Sequence, residues 1–233
     1  MFSALIHDVD HRGVPNFALV KEDQDLAAAY NSKSVAEQNS IDRAWERLME
    51  PDFDLLRSCI YTNKQEFQRF RKLVVNTVLA TDIFDKDFGE LRRNRWQRCF
   101  HKDLAPVAAP HPDDIHRKAT IVIEHIIQAS DVAHTMQHWQ IYTKWNERLF
   151  REMYQAYRSG RLDKDPSVNW FQGEIGFFDG YIIPLAKKLK ECGVFGVSSD
   201  EYLNYAMENR KEWSVRGEKI VEKMKESVLL EYP

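Results

Sequence analysis

The chain has 233 residues, 43% hydrophobic and 30% charged, and its 33 Lys and Arg against 36 Asp and Glu leave a formal charge of -3. That balance argues against general affinity for nucleic acid. Cys59, Cys99 and Cys192 are too few and scattered for a disulfide framework or zinc cluster, and no apolar run approaches the roughly 20 residues that span a bilayer. The length suits one good-sized domain, expected to be soluble and cytoplasmic.

Residues 1–6 form an apolar run that leads, with no cap before it, into His7-Asp8-Val9-Asp10-His11. Read as one helix, this sets His7 and His11 a turn apart on one face, with Asp8 beside them at the end of a buried segment. Two imidazoles and a carboxylate suit a divalent ion of the zinc, iron or manganese kind. An HxxxH pair on a solvated helix is the alternative. Gly13 and Pro15 break the helix, Gly13 by adopting a left-handed conformation. Residues 30–33 read as a loop. Ser34-Val35-Ala36-Glu37 then has the pattern of a capping box opening a helix to about residue 49, which by itself would give Glu37 a structural role.

Residues 64–81 have amphipathic helical spacing and end in Ala80-Thr81-Asp82. Residues 91–100 mix arginines with Trp96 and read as a solvated helix. The three prolines between 104 and 112 mark a loop, taken with its flanks as an insertion (101–113) within one domain. From Asp113 a helix, apolar on most of its circumference and so expected to be deeply buried, runs to Asp131. A carboxylate there needs a salt bridge, hydrogen bonds or a metal. An aromatic-rich helix follows, from about residue 136 to a stop at Gly160. After residue 169, Gly173, Gly176 and Gly180 share a helix face, which suggests close approach by another backbone or a flat ligand. Pro184 should kink that helix. A last helix spans about 199–226, leaving 227–233 as a tail. Sustained period-two alternation and hairpin turns are absent, so the fold class is all-α.

In order along the chain, His7-Asp8-Val9-Asp10-His11-Arg12-Gly13-Val14-Pro15-Asn16, Tyr30-Asn31, Ser34-Val35-Ala36-Glu37, Leu79-Ala80-Thr81-Asp82, Ala129-Ser130-Asp131, Gly176-Phe177-Phe178-Asp179, Ile183-Pro184-Leu185 and Glu208-Asn209-Arg210 resemble the class I 3′,5′-cyclic-nucleotide phosphodiesterases, a branch of the HD metal-dependent phosphohydrolases. The resemblance implies a multi-helix catalytic domain (residues 1–226) that hydrolyses cyclic AMP or cyclic GMP to the 5′-monophosphate in signal transduction. It implies that His7, Asp8 and Asp131 bind a zinc-like ion, with Asp8 bridging to a second, magnesium- or manganese-like one. His11, Glu37 and Thr81 would stand behind them, holding waters of the second ion and orienting the bridging hydroxide. Phe177 would stack on the purine, with Ile83 near the pocket wall.

Three departures from the family pattern carry expectations of their own. The family's earlier HNxxH-type motif, which supplies a leaving-group acid and a metal ligand, precedes residue 1. The chain is therefore expected to be an N-terminally truncated catalytic domain that alone binds metal weakly and turns over slowly. At the purine-reading position the family has glutamine and this chain has Glu174; an ionised carboxylate only accepts hydrogen bonds, so cyclic GMP should be preferred. The family's nearby asparagine is His134. The alternatives are a non-catalytic nucleotide-binding or regulatory module, and another HD-type nucleotide phosphohydrolase.

Overall fold

The computed structural model describes residues 1–100 and 112–231; the 101–113 insertion lies, but for its last two residues, outside them. The described residues form helices and turns with no strand, as the sequence led us to expect. Among the described residues no helix is long and apolar enough to cross a membrane. The chain divides into two compact units, Met1–Gln128 and Ala129–Pro233.

In the first unit the opening helices are α1 (Phe2–Ile6), α2 (Asn16–Glu22), α3 (Gln24–Ala29), α4 (Val35–Leu48), α5 (Asp54–Ile60) and α6 (Lys64–Leu79); α1, α4 and α6 close around Ile6, Ile41, Ala44, Val74 and Val78, with Phe2 and Phe70 at the margin. The apolar spacing of 64–81 thus becomes α6, and Asn63 caps it by accepting from the Gln65 and Glu66 backbone N–H groups, each at 3.0 Å. The opening helix is shorter than its pattern. It stops at Ile6, and residues 7–10 are turns in which Asp10 takes φ +63°. Contacts from α4 capture the chain here: Ser40 Oγ donates to the Val9 carbonyl at 2.7 Å, and Asn39 Nδ2 to Asp10 Oδ2 at 3.1 Å. His7 and His11 therefore do not share a helix face. The run before them is not buried either, since Ala4 and Leu5 are exposed and only Ile6 is covered.

The capping box is likewise absent. Ser34 sits in the left-handed region at φ 41°, ψ 49° and makes no cap, because its hydroxyl donates instead to Asp82 Oδ2 at 2.7 Å. Helix α7 (Lys86–Phe100) is not merely solvated. Trp96 is fully buried, stacked on Phe100 at 4.2 Å, and Arg92 donates to the Leu79 and Asp82 carbonyls. Helix α8 (Pro112–Asp131) is amphipathic rather than buried all round: Ile121, Glu124, His125 and Gln128 are covered while Ile115 and Ile123 are exposed. Glu124 is held by Arg95, with Nη1 at 2.9 and 3.1 Å from its two oxygens.

The second unit winds α9 (Trp139–Arg158), α10 (Trp170–Phe177), α11 (Ile183–Glu191) and α12 (Ser198–Glu231) around Tyr142, Phe150, Phe178, Ile182, Trp213 and Val228, all fully buried. Gly160 ends α9 at φ +77°, and the Arg161 N–H returns to the Ala156 carbonyl at 2.9 Å, closing a Schellman turn. Between α10 and α11 the chain forms one π-turn, Phe178–Ile182, in which the Ile183 N–H reaches back to the Phe178 carbonyl. Pro184 accounts for it: lacking an N–H and crowding the carbonyl four residues before it, proline displaces the regular ladder. Helix α12 continues through Glu231 with Val228 in the core, so 227–231 is helix rather than tail.

The glycine face of residues 173–180 is not a close approach to another backbone. A Cβ at Gly173, Gly176 or Gly180 would meet nothing within 4 Å, whereas one at Gly217 of α12 would come within 2.8 Å of the Phe171 ring and 2.9 Å of Trp213. The tight helix contact is thus at a glycine that the spacing did not single out. Gly217→Ala is expected to cost about 1–2 kcal/mol of stability, overpacking outweighing the gain in helix propensity, whereas Gly173→Ala should gain about 0.5–1 kcal/mol. Urea unfolding of both variants followed by circular dichroism checks the contrast.

Candidate functional site

The first unit gathers the acidic and imidazole groups of the sequence motifs around the turn after α1. His7 Nδ1–H donates to the Ala4 carbonyl at 2.9 Å, and Nε2 lies 3.2 Å from Asp8 Oδ2. The carbonyl thereby fixes the tautomer and leaves the Nε2 lone pair facing a carboxylate oxygen. A proton or a cation between the two atoms satisfies that pair. His7 lowers the Asp8 pKa below the ordinary carboxylate value, with a smaller contribution from His11. An ionised carboxylate and an oriented imidazole nitrogen are ligands of the kind a divalent ion takes.

His11 is exposed, with Nδ1 accepting from the Gly13 N–H at 3.2 Å, and its charge also lowers the pKa of Glu37. Asn16, at the start of α2 (Asn16–Glu22), organises the inner layer. Its Nδ2 donates to Glu37 Oε2 at 2.9 Å and to Asp82 Oδ2 at 3.4 Å, and its Oδ1 accepts from the Ala36 N–H at 2.9 Å. Burial raises the Glu37 pKa, the Asn16 amide opposes this, and the nearby Asp82 charge adds to it. Glu37 thus meets the Asn16 amide where a capping box would have turned it to Ser34. Thr81 is half-buried and its hydroxyl donates to the Val78 carbonyl at 2.7 Å; Ile83, two residues on, is half-buried and brings no polar group. Sequence reasoning assigned no role to Asn16 or Asp82, although both stood in the quoted motifs. Their neighbours Pro15 and Thr81 drew the attention instead.

The second unit holds its own set. Asp131 closes α8 and is exposed rather than buried. His134, on the 3₁₀ turn Ala133–Met136, is half-buried; burial lowers its pKa and the Asp131 charge opposes that. Phe177 is half-buried, with its ring stacked on Tyr181 at 5.5 Å and 21°. Glu174 accepts a hydrogen bond from the Tyr142 hydroxyl at 2.8 Å, and Trp170 Nε1–H donates to Asn146 Oδ1 at 3.1 Å. Burial pushes the Glu174 carboxyl up to about 7, against the bonds from Tyr142 and Asn146. Burial thus favours the protonated carboxyl, where the sequence-based picture of Glu174 was of an ionised acceptor. In sequence, Tyr142 and Asn146 are only members of the aromatic-rich helix, and it is the approach of α10 that brings them to this carboxyl.

The raised pKa has a sign. An unfolded glutamate at 4.5 loses its proton first, so Glu174 costs no stability below that pH and an increasing amount as pH rises to about 7. Glu174→Gln is expected to raise unfolding stability by up to about 3 kcal/mol at pH 8, with little change at pH 4. Paired urea titrations at the two pH values test it.

The family model for 3′5′-cyclic nucleotide phosphodiesterases matches residues 1–195. A probable 3′,5′-cyclic-AMP phosphodiesterase of Caenorhabditis elegans is 27% identical over 198 residues, which are 79% of this chain and 28% of that protein. A probable 3′,5′-cyclic phosphodiesterase of the same organism is 24% identical over 195 residues, 79% of this chain and 26% of that protein. The chain thus spans little more than a quarter of these relatives. Crystal structures of the phosphodiesterase domain of a Salpingoeca rosetta rhodopsin phosphodiesterase superpose with TM-scores of 0.72 and 0.71 at 21% and 22% identity, covering 97% of this chain and 68% of theirs. At that identity the likeness establishes a shared fold.

Proposed function

The chain belongs to the 3′5′-cyclic nucleotide phosphodiesterase family, and on that premise we propose that the protein containing it hydrolyses a 3′,5′-cyclic nucleotide to the 5′-monophosphate in cytoplasmic signal transduction, a setting its three free cysteines suit. The observation that carries the reading is the His7–Asp8 pair, an imidazole held in one tautomer with its second nitrogen on a carboxylate. In the proposal His7, Asp8 and Asp131 would hold a zinc ion, and Asp8 would also serve a magnesium or manganese ion. When bound, such a pair of ions supplies hydroxide at neutral pH and neutralises the phosphoryl oxygens.

The chain's own residues do the rest. Asp8, kept ionised by His7, brings negative charge to the ligand set. His11 and Glu37 are proposed to orient water through hydrogen bonds, with the Asn16 amide holding Glu37 in place. The Thr81 hydroxyl adds a further acceptor. On the base side, Phe177 offers one ring face, braced from behind by Tyr181, and stacking of this kind contributes about 1–3 kcal/mol per base. Ile83 and His134 are proposed to border the base, and Glu174 to hydrogen-bond its edge. His125 takes no part in proton transfer: it is buried beside Trp96, with Nδ1 bonded to the Ile121 carbonyl at 2.7 Å.

The test is chromatographic. Full-length protein incubated with cyclic AMP or cyclic GMP and a divalent cation should release the 5′-monophosphate, and chelation should stop it until metal is restored. Release of the 3′-monophosphate, or turnover indifferent to chelator, would overturn the mechanism; nucleotide binding without turnover would make the domain a binding module.

A further inference from the structure

We propose that Glu174 gates base selectivity by its own protonation: cyclic AMP is accepted only with the carboxyl protonated, cyclic GMP in either state, so that preference for cyclic GMP rises with pH. The inference rests on the reading of Glu174 as a group that meets the base edge. It deepens that reading with the hydrogen-bond network behind the carboxyl.

Two groups of α9 hold Glu174 from behind. The Tyr142 hydroxyl donates to Oε2 at 2.8 Å. Trp170 Nε1–H donates to Asn146 Oδ1 at 3.1 Å, and this fixes which way the Asn146 amide is turned, its NH₂ being the end left to donate to Glu174. With these two donors bound, the carboxyl has its remaining lone pairs, or its proton, for a ligand. The carboxylate then accepts and cannot donate. Guanine presents N1–H and N2–H to it, a match. Adenine presents the N1 lone pair beside N6–H, so one of its two bonds becomes a repulsion. The protonated carboxyl has one O–H donor and one C=O acceptor, the same pair that an amide offers. It gives its proton to adenine N1 and accepts from N6–H, or gives it to guanine O6 and accepts from N1–H. A glutamine in this position has that pair at every pH; Glu174 has it only on the acid side.

The surroundings let the proton decide. Burial brings the carboxyl to about 7, within the range where such a proton is exchanged. The groups acting on it from α9 are Tyr142, whose own pKa burial and Glu174 drive far up, and the uncharged Asn146. On α12, which packs along α10, the Arg210 guanidinium closes on Asp179 in two bonds of 2.9 and 2.8 Å, and Trp213 faces Phe171. On the 3₁₀ turn beside α9, His134 is kept towards its neutral form by burial, against the Asp131 carboxylate.

The experiment measures kcat/KM of the full-length protein for both nucleotides from pH 5.5 to 9, the cyclic GMP value serving as reference for every ionisation the two substrates share. The ratio of cyclic GMP to cyclic AMP is expected to rise about tenfold per pH unit above a midpoint near 7. Glu174→Gln should hold the ratio constant with pH. Tyr142→Phe, which removes a donor to the carboxylate, should move the midpoint up by about one unit. A ratio that stays level in the unmodified protein while both substrates turn over would overturn the gating and leave the hydrolase reading standing. Failure to bind or hydrolyse either nucleotide at any pH would overturn both.

Discussion

Asp8→Ala in the full-length protein is expected to lower kcat/KM for cyclic nucleotide by about 1,000-fold or more and to reduce the divalent metal retained after dialysis. Asp8 is the one residue proposed to touch both ions, so its loss removes a ligand from each and the charge that draws them together. The fold should hardly respond. The Asp8 carboxylate is well exposed and its partner in the first unit is His7 at 3.2 Å, a surface pair of the kind that contributes about 0–1 kcal/mol. Elemental analysis, activity and thermal unfolding on the same preparation separate the outcomes. Loss of activity with metal content unchanged would remove Asp8 from the ligand set, and full activity would remove it from the mechanism.

Trp213→Ala should be the most destabilising single change in the second unit, by about 3–5 kcal/mol. Its side chain is fully buried, it packs against Tyr142, Trp139 and Phe171, and its Nε1–H donates to the Phe171 carbonyl at 3.1 Å. Truncation leaves a cavity among rigid rings and an acceptor without its donor. Because Tyr142 leans on the same ring and also bonds Glu174, the variant should additionally loosen the carboxyl. Trp145, half-exposed on the same stretch as Tyr142 with Arg148 over its ring at 4.7 Å, is the comparison; Trp145→Ala should cost under about 1 kcal/mol. Equal costs for the two would contradict the packing described for α9 and α12.

The long helices were legible because their information is local. Residues 64–79 carry one apolar stripe and an Asn63 cap, and Gly160 supplies the left-handed residue that α9 needs at its end. Pro184 marked an interruption of the α-helical ladder for the same reason, a missing N–H that no neighbour can restore. The all-α class followed from such elements, and the family from the identity and order of its motif residues. Ser34 and the turn after Ile6 were misjudged because distant groups compete there for the same atoms. Asp82 takes the serine hydroxyl that a capping box would use, and Asn39 and Ser40 hold 9 and 10 out of the helix.

By itself, then, the sequence determined helix content, the candidate ligand residues and the substitution of Glu174 for glutamine, since composition and spacing are properties of the chain alone. Tertiary structure decided what those side chains are: that His7 presents one nitrogen to Asp8, that Glu37 answers to Asn16, and that Glu174 can hold a proton near neutral pH. The last two depend on a dipole or a dielectric contributed by residues far along the chain, and the first on the turn after Ile6 that Asn39 and Ser40 hold. Hydrogen-bond partners and desolvation are set by where helices meet, which no local pattern encodes.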